Sequence, residues 1–210
     1  MSTVLYIKAS PRIGRSHSLA VAEVFLDFSC EANPDAKIDA LDLFATDLPP
    51  FDGLLVNAKY NILHGKPHPP EEAAAWRQVE EIIGRLKAAD KYVLATPMWN
   101  FTIPYRLKQF LDIIVQPTYT FSYSPQEGYQ GLVSGKPVFI AYARDGEYHP
   151  GTPAEALDFQ TKYLEFILGF IGLTDIRRVI VEPTLEGGPE LAQARRQEAI
   201  TQARDLAKNF

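Results

Sequence analysis

Five short apolar runs recur along the chain with helical spacing between them, and this alternation restricts the fold more than any other feature of the sequence. The runs are VLYIKA at 4–9, KIDALDL at 37–43, KYVLAT at 91–96, PVFIAY at 137–142 and the segment 176–181. The segment 37–43 alternates as a half-buried strand does, and the others have the length and composition of strands. Between them, Leu19, Val21, Val24, Phe25 and Phe28 mark one helical face, with Ser16 or Ser18 as its cap. EEAAAWRQVEEIIGRLKAAD from Glu71 is a second helix, its acidic residues at the positive end. Leu107, Phe110, Leu111, Ile114 and Val115 mark a third, and 154–172 and 190–208 complete the series. Strand and helix in alternation predict a doubly wound α/β fold: a five-stranded parallel sheet with right-handed crossovers and helices on both faces. The expected strand order is 2-1-3-4-5.

Two stretches stand outside this rhythm. Residues 48–70 carry five prolines and no periodicity, which predicts a long irregular excursion. Residues 117–136, PTYTFSYSPQEGYQGLVSGK, alternate and contain turn residues, which predicts a hairpin or flap able to cover something. At 210 residues the chain suits one domain spanning 1–210. A net charge of −5 and no Lys/Arg block argue against nucleic acid as a partner. The single cysteine, Cys30, excludes an intrachain disulfide and a cysteine-based zinc site. It is expected to be a buried structural thiol in the first helix. The N-terminal apolar run is too short for a signal peptide, and no stretch approaches the roughly 20 apolar residues of a membrane span. A cytoplasmic protein without membrane association is the expectation.

In an open sheet of this order, ligands sit at the carboxyl ends of the strands where the order reverses. The loops after Ala9, Thr96 and Tyr142 converge there. The first offers Ser10, Ser16 and Ser18 hydroxyls, His17, the N–H groups of a helix start, and Arg12 or Arg15, a set suited to one terminal phosphate. The alternative is that these serines only cap and turn. The second, Pro97-Met98-Trp99-Asn100-Phe101, combines flat apolar surface with backbone and side-chain amides. An isoalloxazine ring needs both, because its faces are apolar and its pyrimidine edge is polar. The alternative reading makes Trp99 and Phe101 core residues, although prolines at 97 and 104 hold the segment out of regular structure. The third, Ala143-Arg144-Asp145-Gly146, is either a plain turn or a source of positive charge, through Arg144 or backbone N–H groups, for a ring that becomes negative on reduction. His149 could donate a proton or orient a substrate, or simply face solvent. His17, His64 and His68 have no metal-ligand spacing, and no metal is expected. No G-x-G-x-x-G or Walker spacing supports a dinucleotide or NTP as the tightly held ligand.

VLYIKAS at the start, S-H-S at 16–18, PMWNF at 97–101, LKQFLD at 107–112, TFSY…GLVSGK at 120–136 and LGFIGLTDI at 168–176 together cover most of the chain. By these motifs the chain resembles the FMN-dependent NAD(P)H azoreductases, also described as quinone reductases, of the flavodoxin-like superfamily. The resemblance implies a flavodoxin-like sheet and a homodimer with two FMN molecules at the subunit interface. It further implies NADH or NADPH as electron donor, and small aromatic acceptors, azo compounds and quinones, reduced by two-electron ping-pong transfer. Ser10 and Ser16 to Ser18 would hold the phosphate, Met98 to Phe101 the ring and ribityl chain, and Ala143 to Gly146 the pyrimidine edge. Tyr123, with Phe121 beside it on the flap, would shape the substrate cavity. The hydride passes through the cofactor, so no essential acid-base side chain is expected. The third loop reads A-R-D-G where S-R-G-G is usual, and Trp99 stands where tyrosine is more frequent. Two other classes stay open: a flavodoxin-type electron carrier without its own substrate, and a degenerate fold that binds a partner and no flavin.

Overall fold

A computed structural model describes residues 2–210 of the chain. The sheet strands are β1 (Thr3–Lys8), β2 (Lys37–Asp42), β3 (Lys91–Pro97), β6 (Val138–Ala143) and β7 (Ile176–Val181). They lie in the order β2-β1-β3-β6-β7 with every pair parallel, which is 2-1-3-4-5 when only these five are counted. Between them run α1 (His17–Ala32), α2 (Gly53–Leu63), α3 (Pro70–Ala88), α4 (Tyr105–Ile114), α5 (Phe159–Phe170) and α6 (Gly188–Ala207).

The period of two along each strand sorts the core into two layers. Leu5 and Ile7 of β1, Leu94 of β3, and Ile140 and Tyr142 of β6 face one side, where α3, α4 and α5 cover them. Val4, Tyr6, Val93, Phe139 and Ala141 face the other, under α1 and α6. There Phe25 stacks on Phe139 at a centroid distance of 3.7 Å, and small alanines at 199, 203 and 207 bring α6 close to the sheet. Strand β2 carries Lys37, Asp39 and Asp42 on its open edge, charges that discourage pairing with another sheet. Arg85 of α3 holds Asp39 with two bonds, at 2.7 and 2.6 Å.

Three expectations need correction. Residues 48–70 are not irregular throughout, because α2 occupies Gly53–Leu63. The five prolines all lie outside those residues, Asp52 caps the first turn, and Leu55, Ala58 and Ile62 supply a narrow apolar stripe at helical spacing. The expected helix over 154–172 is a short 3₁₀ turn at Glu155–Leu157 followed by α5, which begins only after its own cap, Asp158. Cys30 lies on α1 but is half-buried rather than enclosed. The flap is a two-stranded hairpin, β4 (Phe121–Ser124) and β5 (Gly128–Gly131). It is seated by a close backbone contact, since a Cβ on Gly131 would stand 2.3 Å from the Gly172 nitrogen.

Candidate functional site

All five sheet strands end on the same side, so their following loops open together above the switch between β1 and β3. A crevice of about 370 Å³ lies there. At one end is the start of α1. Ser16, buried, is its N-cap and accepts from Leu19 N at 3.3 Å, while the Ser16 and Ser18 hydroxyls stand 3.1 Å apart. Among the described residues, the N–H groups of His17 and Ser18 have no acceptor, as expected for a first helical turn. Ser10, Arg12, Arg15 and His17 complete this end. His17 Nδ1 is buried with no partner among the described residues, and burial, then the charges of Arg196 and Arg12, push the imidazole pKa down. These cations and free donors make the end electropositive and fit a phosphate group.

Pro97, Met98 and Trp99 form the apolar wall. Strand β3 continues to Met98, whose N–H donates to Ala143 O at 2.8 Å, and then reverses in a tight turn. Trp99 and Thr102 exchange two backbone bonds, at 2.8 and 3.0 Å, across Asn100 and Phe101, which have φ of 48° and 68°. Asparagine enters the left-handed region readily; for phenylalanine it costs on the order of 1–3 kcal/mol. The indole is fixed by Phe44 and Tyr105, whose ring centroids lie 5.7 and 6.2 Å away. Its far side lines a second, largely apolar cavity of about 470 Å³ with Asn100, Thr102, Ile103, Tyr105, Lys108 and Tyr163. Trp99 is therefore the partition between the two spaces.

The third loop departs from expectation. Ala143 and Asp145 line the crevice, but the Arg144 side chain turns away and is only 1% exposed. It bonds Asp158 at 3.0 Å, Glu182 at 3.3 Å and Gln160 at 3.1 Å, and lies over the rings of Tyr142 and Tyr148. Its charge is met by two carboxylates and cannot serve a ligand. Asp145 instead presents a carboxylate, whose Oδ1 accepts from Gly146 N at 3.2 Å and from the Tyr148 hydroxyl at 3.5 Å. Burial, reinforced by the Asp145 charge and hydrogen bond, raises the Tyr148 pKa.

Nine of the fourteen residues expected at the cofactor line the crevice: Ser10, Arg12, Ser16, His17, Pro97, Met98, Trp99, Ala143 and Asp145. Ser18 stands behind Ser16, Asn100 faces the second cavity, and Phe101, Arg144 and Gly146 line neither. His149 points elsewhere, into two polar hollows beside Glu182 and Arg178, with Nδ1 near Pro150 O. Tyr123 and Phe121 sit on the hairpin and line neither cavity within this chain. A fourth loop was missed: Thr184 and Leu185, after β7, close the crevice. Glu182-Pro183 and Gly187-Gly188 bracket them as turn residues, a signal that marks a loop but not its target.

The profile described as a flavodoxin-like fold, Flavodoxin_2, matches residues 2–207. The chain belongs to the Flavodoxin_2 family. Among its relatives, the FMN-dependent NADH:quinone oxidoreductase of Nitratidesulfovibrio vulgaris (strain DP4) is 58% identical over 210 residues, 100% of each chain. That of Desulfotalea psychrophila is 46% identical over 98% of each. Among solved structures, an azoreductase from Bacillus anthracis superimposes with a TM-score of 0.91 at 30% identity, covering 100% of both chains. An FMN-dependent NADH-azoreductase of the same species, solved in complex with FMN, gives 0.85 at 28% identity over 99% of this chain and 100% of that one. The Flavodoxin_2 assignment agrees with the observed strand order and accounts for a ligand crevice at the β1/β3 switch. No group of three or more His, Cys, Asp or Glu among the described residues could hold a metal ion, and no helix is long and apolar enough to cross a membrane.

Proposed function

We propose that the chain, as one domain spanning residues 1–210, is an FMN-dependent NAD(P)H oxidoreductase. It would reduce quinones to hydroquinones and azo compounds to amines by two-electron ping-pong transfer. The observation that carries this reading is the polarity of the crevice at the β1/β3 switch. A helix start with free N–H groups, Ser16 and the unpartnered His17 Nδ1 stands at one end, and the flat Pro97–Trp99 wall extends from it. A phosphomonoester on a chain attached to a flat heterocycle satisfies both ends at once. Ser10, Ser16 and His17 would hold the phosphate; Met98 and Trp99 would support the ring. When bound, FMN supplies the redox chemistry, taking a hydride from the nicotinamide and passing two electrons on.

The protein's own part is orientation and exclusion of water. The strained turn at Asn100–Phe101 fixes Trp99 against the ring position, and burial of Arg144 keeps the third loop rigid. Exposed aromatic residues support a homodimer, since Tyr123 and Tyr129 are each 63% exposed and cluster with Phe121 and Phe170 on a face that solvent alone would not favour. In such a dimer Tyr123 and Phe121 would reach the partner's crevice and shape the acceptor site.

The test is a titration of the flavin-free protein with FMN, followed by NADH oxidation with menadione or an azo dye. A stoichiometric yellow complex that turns over both acceptors is the expected result. A protein that stays colourless with excess FMN would overturn the reading, and one that binds FMN but leaves NADH unoxidised with either acceptor would point to an electron carrier.

A further inference from the structure

The crevice is not uniformly electropositive. Arg12, Arg15 and the helix start give positive character to the first-loop end. On the third loop the cation, Arg144, is neutralised by Asp158 and Glu182 on the far side of the backbone. Asp145 faces the crevice, and Glu186 lies close behind it: a Cβ added to Gly146 would stand 3.4 Å from Glu186 Oε2. Neither carboxylate forms an ion pair among the described residues. Asp145 is held by the Gly146 N–H and the Tyr148 hydroxyl, neutral donors that orient its charge without cancelling it.

We propose that Asp145 sets the reduction potential of the bound flavin, keeping it low so that the enzyme can drive acceptors that are difficult to reduce. The inference rests on the FMN reading above. The C4–H bond of NADH breaks as a bond from that hydrogen to flavin N5 forms, and NAD⁺ leaves. The ring thereby gains two electrons and one proton, so it carries a negative charge until a second proton arrives from solvent. A fixed carboxylate on the crevice wall opposes that added charge, whereas the arginine expected there would have favoured it. The result is a stronger reductant, matched to aromatic acceptors of low potential.

The groups around Asp145 are Tyr148 on its own loop, Arg144 beneath it, Glu182 and Glu186 on the segment after β7, and Arg12, Arg15 and His17 across the crevice. Among the described residues, only Asp145 both lines the crevice and carries an unpaired negative charge.

The test compares wild type with Asp145→Asn and Asp145→Glu in the FMN-loaded state, with flavin stoichiometry and thermal unfolding recorded for each. Spectroscopic redox titration against a dye of known potential gives the midpoint, and its pH dependence gives the proton count. Asp145→Asn is expected to favour reduced over oxidised flavin at least tenfold, a rise of about 30 mV for a two-electron couple. It should also move the change from two-proton to one-proton slope to lower pH, while Asp145→Glu stays near wild type. If the asparagine variant loads too little flavin, Asp145→Ser carries the same expectation. A shift under twofold in Asp145→Asn, or equal shifts in the asparagine and glutamate variants, overturns the role assigned to the charge. Wild-type protein that binds no FMN would instead overturn the functional reading itself.

Discussion

Replacing Arg144 by methionine separates two roles that the same residue could have played. If the guanidinium faced the ligand, Arg144→Met would weaken flavin binding and leave folding intact. In the structure it is buried against Asp158, Glu182 and Gln160, so the substitution leaves two carboxylates without their cation. Removing one partner of a buried ion pair costs about 3–5 kcal/mol. Here the low end applies, because Asp158 keeps the Thr161 N–H at 2.9 Å and Glu182 keeps the Tyr148 N–H at 3.0 Å. For a chain of this length, about 3 kcal/mol corresponds to a Tm loss of roughly 6–12 °C. The acid limb should shift as well. Burial would raise the Asp158 pKa, but the Thr161 hydrogen bonds and Arg144 outweigh it and hold the value below the ordinary 3.8. A carboxylate depressed in the folded state contributes stability above its unfolded pKa and loses it as pH falls through the folded value. Without Arg144 the depression shrinks, and the acid unfolding midpoint moves upward. Thermal and acid unfolding followed by circular dichroism on flavin-free protein, with FMN titrations alongside, measure both. An unchanged Tm with a collapsed FMN affinity would refute the argument.

Other residues carry separable expectations. Gly131→Ala drives a Cβ into the Gly172 backbone and should unseat the β4–β5 hairpin, lowering Tm by several degrees and raising KM for bulky acceptors more than it lowers kcat; an unchanged KM would show that the hairpin does not shape the acceptor site. His149→Ala should leave steady-state rates within about tenfold, because the imidazole lies outside both cavities, whereas a proton-transfer residue is worth roughly 10²–10⁴. For His17, burial and then Arg196 and Arg12 lower the folded pKa below the ordinary 6.5, so the unfolded chain takes up its proton first and stability of the flavin-free protein falls as pH drops below 6.5. His17→Gln should flatten that slope in urea unfolding between pH 8 and 5, and an undiminished slope would assign it to another group.

What the sequence revealed depended on whether the signal was local. Strands β1, β3 and β6 are buried on both faces, and a continuous apolar run is hard to mistake when it is short and bounded by turn residues. The Ser16 cap and the hairpin were legible for the same reason. Helix α2 was hidden because its prolines crowd the flanks rather than the interior, and because only Leu55 and Ala58 are buried. Arg144 was misread because a loop sequence does not encode which way a long side chain turns. That choice is made by Asp158, Gln160 and Glu182, residues 14 to 38 positions away. The fourth loop escaped assignment because its turn residues do not encode which way it folds; that is decided by backbone bonds from Thr184, Leu185 and Glu186 to Arg144 and Asp145.

That fourth loop also explains how the third can carry Asp145 without disorder. Thr184 N donates to Arg144 O at 2.8 Å, and Leu185 N and Glu186 N donate to Asp145 O at 3.2 and 3.1 Å. The Arg144 N–H in turn donates to Val181 O at 3.0 Å, so the loop is bonded through its backbone to the end of β7 while the Arg144 side chain anchors it to the cap of α5. With backbone and arginine both committed, the Asp145 side chain has no structural duty beyond its bond to the next N–H and to Tyr148. Its carboxylate is thus held in place by neutral groups at a point where a cation was the simpler expectation. A charge positioned by a rigid frame changes little in energy through motion, and so it can act on a neighbouring ring as a constant field.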